Sequence, residues 1–207
     1  YKAMFIAKRQ KMRGTLEPSS EDCTTCMWNS PPGSPEYVLI SFWGAFHGRT
    51  FGSLSTTHSK SIHKLDIPAM PWPCAHFPQY KYPLAENERE NAEEDKKALA
   101  SVEEIIHYHK KRGRDVAGVV VEPIQSEGGD NHASSEFFQG LQKICKKNGV
   151  YLCLDEVQTG CGATGKFWAH EWFNLPEPPD CVSFSKKMYL GGYYHTEELK
   201  PQATYRI

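Results

Sequence analysis

The sequence has no long hydrophobic run. Nothing in its 207 residues approaches the roughly 18 consecutive apolar positions that read as a membrane-spanning helix. It also has almost no net charge, −1 from 24 basic and 25 acidic residues. No overall field therefore draws it to nucleic acid or to an anionic membrane, and neither is expected as a partner. No G-x-G-x-x-G follows any candidate strand, which removes the usual dinucleotide-binding fingerprint. His58, His63, His107 and His109 form no recognisable metal-ligand motif, so no metal is expected. The chain has no internal repeat and does not begin with methionine. Tyr1 to Lys11 read as the inside of a helix and the last four residues carry no stop signal. It therefore reads as an internal segment of a longer protein, and the lack of a targeting peptide says nothing.

Cysteine is present in an odd number, seven. Cys145, Cys153 and Cys181 fall in segments that read as buried helix or strand. That pattern suits packed, reduced thiols in an intracellular protein rather than a disulfide framework. Cys23-Thr-Thr-Cys26 has redox-motif spacing but sits in a Pro/Ser-rich stretch, Leu16 to Pro35, that reads as a surface loop with no strand before it.

What is present follows an α/β rhythm. Tyr1 to Arg13 has apolar positions at helical spacing and should end near Gly14. Tyr37 to Phe42 is a β-branched and aromatic run that leads into the turn Gly44 to Thr50. Ser53 to Lys64 is compatible with a helix, and Pro68 to Pro83, with its many prolines, with an irregular connection. Glu86 to Arg112 carries Leu99, Val102, Ile105, Ile106 and His109 along one stripe of a charged helix. Val116 to Val121 is a strand covered on both faces. A helix from about Ser135 should end at Asn148-Gly149. Strands at Tyr151–Asp155 and Cys181–Ser185 follow, with a short helical piece at Phe167–Phe173 between them. Parallel strands with helices on both faces are the expectation.

Chemistry in such a sheet collects at the carboxyl ends of the strands, where loops open a crevice. Two of these apolar strands end in acids, Glu122 and Asp155, and a third ends in Lys186-Lys187. The turn Phe46-His47-Gly48-Arg49 supplies a guanidinium beside them. Two acids, a lysine and an arginine at four strand ends are hard to read as loop caps alone. A lysine on one strand end and an acid on another are the minimal equipment for pyridoxal phosphate. The amine forms a Schiff base with the aldehyde, and the acid pairs with the pyridinium nitrogen. Burial would activate that amine. Continued strand geometry would turn Lys186 and Lys187 to opposite sides, and spacing leaves open which of them reacts.

Five blocks make the sequence resemble the class III (ω-amino acid) aminotransferases. They are Phe46-His-Gly-Arg-Thr50, Val121-Glu-Pro-Ile-Gln-Ser-Glu-Gly-Gly-Asp130, Leu154-Asp-Glu-Val-Gln-Thr-Gly160, Gly165-Lys-Phe-Trp-Ala-His170 and Phe184-Ser-Lys-Lys-Met188. The second and third together are highly specific. The resemblance implies the fold-type-I large domain, a three-layer α/β/α unit with a mainly parallel central sheet, of which residues 1–207 would be a part. A phosphate-binding loop would lie upstream and a small domain downstream.

The resemblance also implies roles. Lys186 would be the Schiff-base lysine, preceded by Ser185 at the cofactor. Asp155 would meet the pyridine nitrogen, Phe46 and Val157 would cover the two ring faces, and Gln158 would bond the phenolic oxygen. Glu127 would orient groups around the covalent link, Arg49 would clamp the substrate carboxylate, and Glu122 would sit near the substrate. His47 is given only the support of its turn. The implied reaction moves an amino group from 4-aminobutyrate to 2-oxoglutarate in a mitochondrial homodimer, the isolated segment itself being inactive. A β-alanine or ornithine type of enzyme, or a non-catalytic truncated product, remains the alternative.

Overall fold

The computed structural model describes residues 1–207, with the side chain of Thr204 left aside. Helix α1 (Lys2–Arg13) ends where Gly14 takes a left-handed conformation, φ 75°, and returns its N–H to the Gln10 carbonyl. Next comes α2 (Ser20–Cys26), in place of the expected loop. Ser19 and Asp22 form a reciprocal capping box, which satisfies the first free amides of a helix too short to persist on propensity. Cys23 and Cys26 are both exposed on it.

Strand β1 (Val38–Phe42) is buried throughout. The helix expected over Ser53–Lys64 shrinks to α3 (Phe51–Ser55) and one 3-10 turn at Ser61–His63. Hydroxyls explain the shortening. Ser55 Oγ bonds the Phe51 carbonyl, Thr56 Oγ1 that of Ser53, and Thr57 Oγ1 those of Gly48 and Ser53. Side chains that occupy the backbone in this way compete with helix continuation. The proline-rich connection contains a two-residue strand, β2 (Cys74–Ala75), which the sequence did not announce. It lies at the sheet edge, where neighbouring prolines are tolerated.

Helix α4 (Glu88–Lys110) buries Ala98, Val102, Ile106 and His109, close to the expected stripe. Strand β3 (Val116–Val121) follows, then a small antiparallel pair, β4 (Ile124–Gln125) with β5 (Asn131–His132). Helix α5 (Ser135–Asn148) starts with Ser134 accepting from the Phe137 amide and stops at left-handed Gly149. Strands β6 (Tyr151–Asp155), β7 (Cys181–Phe184) and β8 (Gly192–His195) complete the sheet.

The six strands lie in the order β2-β1-β3-β6-β7-β8. All neighbours are parallel except β8, which runs antiparallel to β7 and was not foreseen because its residues are mostly exposed. One face of the sheet packs Ile40, Val119, Leu152 and Leu154 against Val102 and Ile106 of α4 and Phe137 and Leu141 of α5. Each such fully buried side chain contributes about 1.5–3 kcal/mol. The other face packs Leu39, Val120 and Cys153 against Met4 and Ala7 of α1. Gly118 permits that close approach, since a Cβ there would lie 2.5 Å from Met4 Sδ. The result is the expected three-layer α/β/α arrangement.

Candidate active site

Strands β6 and β7 run in register, with Asp155 opposite Ser183. Asp155 is only 8% exposed. Its Oδ2 accepts from His47 Nδ1 at 2.8 Å, and its Oδ1 accepts from the Val157 amide at 3.1 Å and from Ser183 Oγ at 3.0 Å. Burial works to raise the pKa of this acid, but the His47 contact and the two further donors outweigh it and hold the carboxyl below its ordinary value. A carboxylate has room for about four donors, so an acceptor position remains.

His47, given no more than turn support by the sequence, is thus the principal partner of the key acid. Its Nε2 is buried without a hydrogen-bond partner among the described residues. The turn that carries it is tied down twice. Its amide bonds Thr57 Oγ1 at 3.0 Å, and the Phe46 amide bonds Glu122 Oε1 at 2.9 Å. Glu122 also takes the Ser126 amide on Oε2 at 3.3 Å and is 5% exposed. Burial raises its pKa, against the opposing pull of His47 and the two amides. These two bonds give Glu122 a bracing role. Its carboxylate faces inward and clamps the loop of Phe46 and Arg49 to the loop of Glu127.

Glu127 is the open acid of that motif, exposed and 3.0 Å from Lys60 Nζ. Lys60 holds its pKa below the ordinary value, with a smaller contribution from Lys186. Phe46 meets His63 edge-on at 5.2 Å, and the Arg49 guanidinium lies 5.9 Å from the Phe46 ring centre. Arg49 is exposed and has no ion-pair partner among the described residues.

The lysines depart from the expectation. The strand stops at Phe184, and Lys186–Met188 form a 3-10 turn in which Lys186 has φ 50°. Both side chains converge on one residue instead of parting: Lys186 Nζ bonds Gln158 Oε1, and Lys187 Nζ bonds the Gln158 carbonyl at 2.8 Å. Lys186 is exposed, so this chain does not supply the burial expected around its amine. A non-glycine residue at positive φ stores strain of about 1–3 kcal/mol, a feature that clusters at sites that move.

Behind Val157 and Gln158, Glu156 is 1% exposed and accepts from Thr159 Oγ1, the amides of Ala169 and His170, and His170 Nδ1. This carboxylate closes the loop between β6 and the 3-10 turn at Ala169–Trp172. A cleft of about 610 Å³ opens beside Asp155, His47, Val157 and Ser183 and is also walled by Tyr1, Lys2 and Ala3 at the start of α1. Of the functional residues missed by the sequence, Ser183 had a signal, as a hydroxyl inside an apolar strand two positions from Ser185. His47 had only its place beside Phe46.

Residues 2–207 match the aminotransferase class-III family. Over its whole length the chain is 54% identical to mitochondrial 4-aminobutyrate aminotransferase of Sus scrofa and 57% identical to 4-aminobutyrate aminotransferase of Mycosarcoma maydis. It spans 41% of the length of each of these relatives. Among solved structures, lysine aminotransferase from M. tuberculosis superposes with a TM-score of 0.78 at 30% identity, covering 96% of this chain and 41% of that one.

Proposed function

The chain belongs to the class-III aminotransferase family, and from that premise we propose that the full-length protein transfers the amino group of 4-aminobutyrate to 2-oxoglutarate. The products are succinate semialdehyde and glutamate, and the cofactor is pyridoxal 5'-phosphate. The observation that carries the reading is that β6 ends in Asp155, which opens on a cleft, while the adjacent strand β7 leads directly into the turn of Lys186. Identity of 54–57% to 4-aminobutyrate aminotransferases supports the choice of donor.

The residues present fit such a cofactor. Asp155 keeps an acceptor position toward the cleft, in a site whose donors already favour its charged form. Asp155 would hold the pyridine nitrogen, Phe46 and Val157 would cover the ring, and Gln158 would bond the phenolic oxygen. Ser185 and Glu127 flank the attachment point, and the amino end of α1 suits an anionic group. When bound, the cofactor supplies an electron sink for the carbon that carries the amine.

The chain's own groups do the rest. Lys186 Nζ would leave Gln158 to hold the cofactor, and would carry a proton at Nζ as general acid and base. Arg49 takes the substrate carboxylate in a bidentate fork that a lysine could not reproduce. His47 keeps Asp155 ionised and oriented. Glu122 fixes the two loops that present Phe46, Arg49 and Glu127.

The segment is part of the large domain of a homodimeric enzyme of the mitochondrial matrix. Mammalian relatives carry the mitochondrial name, whereas the Mycosarcoma maydis and Dictyostelium discoideum relatives do not. The test is the visible spectrum of the full-length protein loaded with pyridoxal phosphate. A band lost on adding 4-aminobutyrate and restored by 2-oxoglutarate is the expected result. A band indifferent to 4-aminobutyrate would reassign the donor, and no band would remove the enzymatic reading.

A further inference from the structure

Directly behind Asp155 and Ser183 lies a second pair in register. Cys153 of β6 sits opposite Cys181 of β7, two residues back along each strand and therefore on the same face. Both thiols are free, and both belong to the apolar cluster under α1. They also line the cleft that reaches Asp155 and His47. Adjacent strands lie about 4.8 Å apart, inside the Cα separation of about 4.4–6.8 Å that a disulfide spans.

We propose that Cys153 and Cys181 form an oxidation site, in which hydrogen peroxide entering the cleft converts the two thiols to a disulfide between β6 and β7. The chemistry balances in two steps. The Cys181 thiolate attacks a peroxide oxygen, the O–O bond breaks, and hydroxide leaves and takes up a proton as water; Cys181 becomes a sulfenic acid. The Cys153 sulfur then attacks Cys181 Sγ, the S–O bond breaks, and a second water leaves with the Cys153 proton. Two thiols are oxidised and one peroxide is reduced.

The order of the steps follows from the surroundings. The neighbouring Cys153 thiol favours the ionised form of Cys181, while Cys153 itself is pushed well up by that same neighbour and by burial. Asp155 of the cleft disfavours a thiolate on either residue, and Asp180 does so on Cys181. Oxidation is therefore slow beside that of an exposed reactive thiol. It becomes fastest when nothing occupies the cleft. The cross-link ties together the two strands that lead to Asp155 and Lys186.

This inference does not depend on the proposed reaction, and its test reads mass rather than turnover. Full-length protein, with and without pyridoxal phosphate, is exposed to hydrogen peroxide, alkylated and mapped by peptide mass spectrometry. The expected product is a linked peptide pair containing Cys153 and Cys181, lighter by two hydrogens, reversed by dithiothreitol and reduced in yield by the cofactor. It persists in the Cys23→Ser/Cys26→Ser protein and is lost in Cys181→Ala and, separately, in Cys153→Ser. Both thiols remaining alkylatable while Cys23 and Cys26 oxidise would overturn the proposal. So would Cys181 carried to sulfinic acid with Cys153 still free.

Discussion

The end of β6 and the end of β7 are neighbours in one sheet, yet they are built in opposite ways. At the end of β6, Asp155 is buried and held by three donors from three different segments. Just past the end of β7, Lys186 is exposed, sits at positive φ and has a single side-chain hydrogen-bond partner among the described residues, Gln158. A fixed charge needs a site that does not reorganise when the chemistry occurs. A group that must bind, release and carry a proton needs freedom to move. On the proposed function the contrast separates a preorganised electrostatic partner from an amine left free to react, and Gln158, in the loop after β6, accepts from Lys186 in the turn after β7.

The largest effect should come from the amine. Lys186→Ala in the full-length protein should lower turnover by about 10⁴-fold, the upper range for general acid–base catalysis, and abolish the visible band. Turnover and spectrum measured on one preparation check both. Asp155→Asn keeps the shape but removes the charge, and should cost about 10²–10³-fold in turnover. If Asp155→Asn were as active as wild type, the preorganised half of the comparison would fail.

Glu122→Ala should act on stability, because it leaves the Phe46 and Ser126 amides unpaired, at about 1–3 kcal/mol per buried group. Denaturant unfolding reads it directly. The pH dependence should separate the two acids. Asp155, with its pKa lowered on folding, contributes stability above the ordinary carboxylate range that is lost as pH falls through its folded value. Glu122, with its pKa raised, works the other way. Stability declines as pH rises from the ordinary carboxylate range through its raised value, and Glu122→Gln should remove that decline. Melting temperature against pH for the two proteins is the measurement.

The smallest effect is assigned to Lys187→Ala. Its amine bonds only a backbone carbonyl at the surface, so stability should change by less than about 0.5 kcal/mol.

Much of this arrangement could be read from the sequence, for reasons that particular residues show. Helix α4 was legible because Val102 and Ile106 recur at helical spacing, and β3 because an unbroken valine run has no other stable place. Asp155 was legible because an acid closing a buried strand stands out. The direction in which Glu122 points was not, since a strand end fixes the edge but not the facing. The His47–Asp155 contact joins residues 108 positions apart and is decided by how a turn folds back on the sheet. Likewise the convergence of Lys186 and Lys187 depends on where β7 stops. Local pattern contains none of these.

The most direct test is chemical trapping of the cofactor on the full-length protein. Borohydride reduction of the pyridoxal phosphate-loaded enzyme followed by peptide mapping should place the label on Lys186 alone. Label on Lys187, or on no lysine of the Phe184–Met188 segment, would contradict the assignment of the reactive amine to Lys186.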